Sequence, residues 1–469
     1  MSGIAIVLAA AVGSSCSSSS KSASTTAAPT TTAAPAVTTA ATTAATTAAT
    51  TAATTAATTA ATTAASTALT TAITTAATNA PAGDTLKIGV AVPDLSAFVA
   101  QSPAFGVGDP QEQAAAMLDG WKKAGLVPVN GHDIQFVYRK YSDISDDDKL
   151  AACTGFAQDD KVIAVIGGRD FGTGSECLAQ RFQIPVIDVN SEPMSAFTAS
   201  GPSLFTLRPV QEVLFKQFID WADAGGYLTG KKLGVAVSDD NAEAFKAAKD
   251  ELTAKGYSIS TEVDETSAGV GADQDTTAAH KFQADKDDVL MLFVGGSSVI
   301  NILGEAKNQG YAPKILDTDV SEHTTDILAT YSGPVYGGTF AMSASRSGEL
   351  AENKKLTDAG QACITNYDSY SGKQTPLVTP DTSGEFTNIL ITCDVANLML
   401  TAIKNAGTTV DAASIIKGME SISDMPMAST SDVSFSSTDH WGAHGYRTIQ
   451  FMTSCSCWTA TTDYSAFSE

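Results

Sequence analysis

Short runs of β-branched residues alternate with longer amphipathic segments from residue 84 onward. Runs of the first kind are typical of buried strands, and an apolar period near 3.6 residues indicates helices. The resulting βαβα order predicts a parallel sheet with right-handed crossovers. In this first series we predict strands at 86–92, 134–138, 162–166 and 185–189, and helices at 111–124, 145–158 and 174–182.

A second series of the same kind follows along the chain. Residues 84–469 also exceed the roughly 250–300 residues at which a single core stops growing. We therefore predict an α/β protein with two doubly wound parallel-sheet lobes. The second series has predicted strands at 232–237, 257–263, 289–294 and 314–317, and helices at 242–255, 275–284, 298–309 and 322–330.

The N-terminus carries an apolar run at 4–12, followed by small residues and then Cys16. The run is far shorter than the roughly 20 residues that span a bilayer, so we interpret 1–16 as a signal peptide. Cys16 resembles the acylated first residue of a bacterial lipoprotein, which predicts a lipid anchor at the cell membrane. The alternative is an incidental thiol in a disordered N-terminus.

Residues 17–83 are almost entirely Ser, Thr, Ala and Pro, with Lys21 as the one charged residue. Alanine methyls bury too little apolar area to offset the cost of ordering the chain. We predict a disordered stalk. The competing interpretation, an Ala-rich helix, is disfavoured by the Thr pairs and by Pro29 and Pro35.

The charge of the chain is strongly acidic, with 51 Asp and Glu against 28 Lys and Arg. Nucleic acid is an unfavourable partner, because phosphate binding requires clustered basic residues. No motif for a hydrolase, a metalloprotease or a nucleotide-binding loop occurs. His440 and His444 lie four residues apart in a Gly-rich loop, where no helix would hold both rings on a metal. We predict no enzyme activity, no metal and no cofactor.

Six cysteines follow residue 84, and an even number in an exported chain indicates disulfides. Six cysteines allow 15 pairings. Sequential pairing of Cys153 with Cys177 and of Cys363 with Cys393 closes the shortest helix-to-helix loops. A bridge between the remaining pair, at 455 and 457, is disfavoured because an i, i+2 bridge is strained.

Loops rich in Gly, Ser, Thr and Asp follow several predicted strands, where open α/β sheets bind their ligands. The loop at 167–175 leads into a helix, whose free N–H groups suit an anion. In the second lobe, acidic side chains at the strand ends would face that loop, which suits a zwitterion. Asp319 is the candidate for an ammonium contact, and its alternative role is a helix N-terminal cap.

The order of elements resembles the type I periplasmic binding proteins of the leucine/isoleucine/valine-binding class, the substrate-binding lipoproteins of ABC transporters. The similarity covers nearly all of residues 84–451. The strings that carry it are Ile-Gly-Val at 88–90, the segment 121–134, Tyr-Ser-Asp at 141–143, Val-Ile-Gly-Gly at 165–168, Phe-Val-Gly-Gly at 293–296, the segment 304–310, Val-Tyr-Gly-Gly at 335–338, and Val-Ser-Phe at 433–435 with Gly442.

This resemblance implies two lobes that close on a ligand, one from 84–207 plus 338–440 and the other from 208–337 plus 441–469. The three hinge crossings would lie near 207–209, near 337–338 and within 430–446. By position, the resemblance implies ligand contacts from Ser96, Phe98, Thr173, Ser175, Asn190, Ser191, Asp240, Asn241, Ser297 and Asp319.

The resemblance also implies a function, namely delivery of a small, polar, amino-acid-like ligand to the permease of an ABC importer outside the cytoplasm. The aromatic residues that such receptors place in the second-lobe loops are replaced here by Asp240-Asn241 and Ser297-Ser298. An aliphatic amino acid is therefore a less favoured ligand than a polar one. The alternatives are a sensory receptor, an exported hydrolase and a structural surface protein.

Overall fold

The computed structural model describes residues 83–99, 106–142, 145–266, 272–320, 323–324, 337–346, 356–375 and 382–467. The predicted signal peptide, Cys16, nearly all of the predicted stalk and most of the predicted helix at 322–330 lie outside these residues. The described part of the chain forms two lobes, each a mainly parallel sheet between helices. The predicted fold class is confirmed.

The first lobe is built on a five-stranded sheet in which every neighbouring pair is parallel. Its strand order is β2-β1-β3-β4-β5. The strands are β1 Leu86–Asp94, β2 Ile134–Ser142, β3 Ala164–Ile166, β4 Val186–Asp188 and β5 Leu204–Thr206. The helices between them are α1 Ser96–Val99, α2 Pro110–Lys123, α3 Asp146–Thr154, α4 Gly172–Phe182 and α5 Met194–Ser200.

The local sequence explains these elements. Strand β1 is buried at seven of its nine positions, as expected of a parallel strand with helices on both faces. Helix α2 begins where Asp109 accepts hydrogen bonds from the backbone N–H groups of Gln111 and Glu112, at 3.0 and 3.1 Å. Pro110 follows at the first helical position, where its missing N–H has no consequence.

The second lobe is built on an eight-stranded sheet with the order β12-β11-β10-β9-β8-β6-β7, and β13 pairs with β11. The pairs from β7 to β10 are parallel, and those made by β11 are antiparallel. The strands are β6 Leu233–Ser238, β7 Ile259–Glu265, β8 Val289–Phe293, β9 Lys314–Thr318, β10 Phe340–Ser343, β11 Gly445–Met452, β12 Cys457–Ala460 and β13 Ser465–Ala466. The helices of this lobe are α6 Gln211–Ala224, α7 Ala242–Ala254, α8 Ala272–Asp285 and α9 Gly296–Asn308.

Three further helices return to the first lobe: α10 Asp358–Ser371, α11 Ser383–Asn405 and α12 Ala412–Glu420. Among the described residues, α11 is the helix that is long and apolar enough to cross a membrane, with a mean hydropathy of 1.5. However, 72% of its most apolar 18-residue stretch is buried inside the protein. Ile389, Leu390 and Leu398 are fully buried and pack in the same cluster as β1 and α2. Helix α11 is therefore a core helix of the first lobe.

The second crossing between the lobes differs from its predicted place. Strand β10 pairs with β9 and β11, so the chain is still in the second lobe at Ser343. The crossing therefore follows Ser343, whereas the sequence placed it at 337–338. The Gly-Gly pair marks the turn that enters β10 rather than the hinge, and Gly338 adopts a positive φ of 82° there.

Hydrogen bonds tie the crossings to one another. Thr206, at the end of β5, donates from its N–H to the carbonyl of His440 at 3.0 Å and accepts from Gly442 at 2.9 Å. After β10, the carbonyl of Ala344 accepts from the N–H of Ser431 at 2.9 Å. Arg346 donates from Nε to the carbonyl of Thr430 at 2.7 Å. The third crossing thus lies between the other two.

Three disulfides are present in the described residues. Cys153 pairs with Cys177 and joins α3 to α4, and Cys363 pairs with Cys393 and joins α10 to α11. The third bridge, between Cys455 and Cys457, was disfavoured from the sequence. It forms because Ser456 takes a left-handed conformation with φ of 50°, which turns the two Cα atoms to 5.2 Å from each other.

Candidate functional site

The carboxyl ends of three adjacent strands of the first lobe, β1, β3 and β4, lie at one edge of the sheet. In the second lobe, the ends of β6, β8 and β9 are likewise adjacent. Open parallel sheets bind ligands beyond these ends. The predicted ligand residues follow these six strands.

At the end of β1, the backbone N–H of Ser96 donates to Asp94 Oδ1 at 3.0 Å. This bond lowers the pKa of the Asp94 carboxyl, which is exposed. Ser96 is exposed as well. The side chain of Phe98 lies outside the described residues.

The loop after β3 is shaped by a close backbone approach at Gly168. A Cβ atom there would lie 2.5 Å from the carbonyl oxygen of Ala91 and 2.6 Å from the Tyr141 hydroxyl. The Tyr141 hydroxyl donates to the carbonyl of Arg169. Only glycine fits at 168, because any side chain would collide with β1 and Tyr141. The loop after β3 therefore lies directly against β1, and the two form one wall of the site.

The two hydroxyls predicted on α4 both bind within the protein. Thr173 Oγ1 donates to Asp146 Oδ1 at 2.9 Å. Ser175 is fully buried, and its Oγ donates to Asp188 Oδ2 at 2.5 Å. In this structure the hydroxyl of Ser175 positions a carboxylate, and it is not exposed to a ligand.

Carboxylates concentrate at the end of β4, in contrast to the anion-binding character predicted for the first lobe. Asp188 is fully buried and also accepts from the N–H of Asn190 at 3.0 Å. The Asn190 amide donates to Asp170 Oδ1 at 3.1 Å. Burial raises the pKa of Asp188 to about 6. Burial, together with the Asp188 charge, raises the pKa of Glu192 well above its usual range. The exposed carboxylate of Asp170 disfavours an anionic ligand group beside it.

The segment after β4 also contacts the second lobe. Ser191 Oγ is buried and has no hydrogen-bond partner among the described residues. Gln211, at the start of α6, donates from Nε2 to the carbonyl of Ser191 at 3.1 Å. Ser195 Oγ on α5 donates to Glu243 Oε2 on α7 at 2.8 Å. Gln211 and Glu192 were not among the residues predicted from the sequence, which offered no spacing that would join them.

In the second lobe, a small polar network closes the end of β6. Asn241 is buried, and its Nδ2 donates to Ser238 Oγ at 3.0 Å. The Ser238 hydroxyl in turn donates to Asp240, which is exposed. Ser297 is half-buried in the first turn of α9. Asp240 and Ser297 are thus the more accessible of these predicted ligand residues.

Asp319 follows β9 and is buried in the hinge. Its Oδ1 accepts from Ser343 Oγ at 2.6 Å and from the Thr324 hydroxyl. Its Oδ2 accepts from the N–H of Ala344 at 2.6 Å. Arg208 Nη1, in the first crossing, lies 3.9 Å from Oδ2, an ion-pair distance without a direct hydrogen bond. The Asp319 carboxylate thus connects two crossings, while its predicted ammonium contact remains a prediction.

No group of three or more His, Cys, Asp or Glu in the described ranges could hold a metal ion. His440 Nε2 lies 3.2 Å from Glu420 Oε1, and its ring stacks on Phe205 at 4.2 Å. His444 Nε2 lies 3.1 Å from the carbonyl of Ser434. The two rings therefore contact separate partners.

A family model described as "Periplasmic binding protein" matches residues 85–454. The chain belongs to this periplasmic binding protein family. Among curated proteins, no sequence matches the chain at a significant level.

Solved structures support the fold of this periplasmic binding protein. A solute-binding protein of an ABC transporter from Rhodopseudomonas palustris HaA2, in complex with p-hydroxybenzoic acid, is similar with a TM-score of 0.64 and 16% identity, over 82% of this chain and 98% of that one. A branched-chain amino acid ABC transporter protein from Thermus thermophilus with bound valine has a TM-score of 0.62 and 15% identity, over 81% and 96%. A leucine-binding protein from Thermotoga maritima has a TM-score of 0.61 and 14% identity, over 80% and 98%.

Asp319→Asn should destabilise the ligand-free protein. Removing one charge leaves Arg208 buried without a counter-charge, so we expect the free energy of unfolding to fall by about 3 kcal/mol. Urea denaturation measures this change. Asp240→Asn, at an exposed carboxylate, serves as the control and should change stability by less than about 0.5 kcal/mol. Wild-type stability with weaker ligand binding would instead assign Asp319 to the ligand.

Stability should fall as the pH rises from about 4 to about 6. The raised pKa of Asp188 means that the folded state holds a proton that the unfolded chain has already released in this range. Asp188→Asn removes this titration, so wild type should lose ~2 kcal/mol relative to the variant between pH 4 and pH 7. Urea denaturation at four pH values would measure it, with Asp250→Asn on the exposed face of α7 as the control. Equal slopes for wild type and Asp188→Asn would contradict the assignment.

Proposed function

We propose that this protein is an extracytoplasmic solute-binding lipoprotein that delivers a small, polar, amino-acid-like ligand to an ABC importer. The observation that carries the proposal is that each of two lobes places three adjacent strand ends at one edge of its sheet, in a chain of the periplasmic binding protein family. Similar proteins of ABC transporters hold valine in one case and p-hydroxybenzoic acid in another. Both ligands are small carboxylic acids, and they differ in whether an ammonium group is present.

The charges at the strand ends favour a ligand that carries an ammonium group. Asp170 is exposed beyond β3, and Asp240 is exposed beyond β6. A carboxylate that faces a ligand cation gives a charge-assisted hydrogen bond. A ligand with only a carboxylate would meet like charge at these positions. We therefore rank amino acids above aromatic acids as ligands.

A hinged binding protein can act in transport because the ligand bridges both lobes. Contacts to the two lobes at once favour the closed arrangement by their differential affinity for it. The closed arrangement presents a different surface from the open one. The permease of an importer can use this difference to distinguish the ligand-bound protein from the ligand-free protein. The acyl chain on Cys16, at the end of the long stalk, would keep the head near that permease.

A ligand screen tests the proposal directly. We expect one or more amino acids, tested with amides, polyamines, nucleosides, sugars and hydroxybenzoates, to raise the unfolding temperature of the protein. A ligand at 100 times its dissociation constant adds roughly 2.7 kcal/mol of stability. Ser191→Ala should weaken binding of the active ligand about threefold to tenfold by removing one hydrogen bond.

Ser200→Ala is the matched control for that variant. Ser200 Oγ is also buried without a partner among the described residues, but it lies at the far end of α5. Equal losses in the two variants would remove Ser191 from the site. A screen in which no solute class changes the unfolding temperature would contradict the solute-binding role.

The anchor is tested in cells. Cys16→Ser removes the thiol that would carry the acyl chains, so the protein should move from the membrane fraction to the soluble fraction. Acylation adds about 0.8 kcal/mol of membrane affinity per buried methylene, and two or more chains are needed for stable anchoring. Membrane retention of the variant, measured by fractionation and immunoblotting, would contradict the anchor.

A further inference from the structure

A small cavity of about 40 Å³ opens in the first lobe beside the candidate site. Ala91 and Pro93 in the second half of β1, Ile166 at the end of β3 and Val189 just after β4 contribute to its lining. These are the same strand ends at which the ligand is expected. The cavity thus extends the first-lobe wall of the site toward the core.

The opposite wall of the cavity comes from the first turns of α11. Ile391 and Val395 are apolar, and Thr387 supplies a hydroxyl. Thr387 is 7% exposed, and its Oγ1 has no hydrogen-bond partner within the described residues. A buried hydroxyl without a hydrogen-bond partner destabilises the protein. A ligand group that supplied this partner would therefore be bound more tightly than a group that did not.

The neighbouring polar groups of α11 are already engaged. Asn388 Nδ2 donates to Gln113 Oε1 at 2.6 Å, and Thr392 Oγ1 donates to the same oxygen at 3.4 Å. Gln113 in turn donates from Nε2 to the carbonyl of Val107 at 2.7 Å. Thr387 Oγ1, by contrast, is buried without a hydrogen-bond partner among the described residues.

The volume limits which group can enter. One water requires a cavity of roughly 10–15 Å³, while a cavity that holds benzene is about 150 Å³. A cavity of about 40 Å³ therefore accommodates a few heavy atoms. A hydroxyethyl or isopropyl group fits this size, whereas an aromatic ring does not.

We propose that this cavity is a subsite for a short aliphatic side chain that bears a hydroxyl, with Thr387 Oγ1 as its hydrogen-bond partner. The inference rests on the proposed function, because the amino and carboxyl groups of the ligand would lie outside the cavity at the strand ends. The ligand class that results is a small hydroxylated amino acid, of which L-threonine is an example.

The isosteric pair L-threonine and L-valine tests this subsite. In wild type, we expect L-threonine to bind about tenfold more tightly than L-valine in titration calorimetry, because only L-threonine pairs with the buried hydroxyl. Thr387→Val keeps the shape of the side chain and should abolish the preference. Thr392→Val is the matched control and should keep it, since the Thr392 hydroxyl already donates to Gln113.

A second measurement reports on the cavity itself. Carbon-13 methyl spectra of Ile391 and Ile166 should shift on titration with L-threonine, and also with isopropanol as a small probe. Ile403, fully buried elsewhere in the same core, is the reference methyl that should not shift. Thr387→Val should reduce the shifts caused by isopropanol.

The outcomes separate the subsite from the proposed function. If amino acids bind while Ile391 and Ile166 do not respond, or if the preference for L-threonine survives Thr387→Val, the subsite is wrong and solute binding stands. If isopropanol shifts the two methyl groups in a Thr387-dependent manner while no amino acid binds, the cavity is a hydroxyl-selective pocket and the amino-acid assignment is wrong. If neither probe has an effect, both are wrong.

Discussion

The arrangement of the two lobes depends on a polar seam in which a buried carboxylate joins separate crossings of the chain. Asp319 accepts hydrogen bonds from the segment that ends β10 and lies at ion-pair distance from Arg208 in the first crossing. Burying such charges is favourable only where hydrogen bonds and opposite charge replace the lost water. Backbone bonds from Thr206 and Ala344 extend the same seam to the third crossing. Any rotation of one lobe against the other therefore has to take place about crossings that are bonded to one another.

The fold could be predicted from the sequence because its signal is local. Strands β1, β6 and β8 are largely apolar runs. Such runs, each followed by an amphipathic segment, predict a parallel sheet, and this prediction does not depend on the sequences of the loops. Helix α11 was not predicted, because a helix that is buried on most faces lacks the amphipathic period. The family resemblance places a crossing at Gly337-Gly338, but a Gly pair marks a turn without indicating which sheet follows it.

The candidate site was less predictable, since its chemistry depends on where side chains point. Asp188 ends a strand, and the sequence does not reveal that Ser175 and the N–H of Asn190 hold it beneath the β3 loop. Glu192 reaches this cluster only through the path of the segment after β4. Thr387 lies about 220 residues beyond β3 in the chain, and only the packing of α11 on the sheet brings it near the strand ends. Long-range placement of this kind has no signature in local spacing.

The hydrogen bond from Ser195 to Glu243 joins the lobes directly. A contact of this kind lowers the free energy of the arrangement in which the lobes meet, so it increases the fraction of molecules in that arrangement. The apparent dissociation constant of a ligand equals its intrinsic value divided by the competent fraction. Affinity in this protein is therefore set partly by residues that do not contact the solute. Substitutions at such lobe-to-lobe contacts can adjust the apparent dissociation constant to scarce or abundant nutrients while the ligand-binding residues stay unchanged.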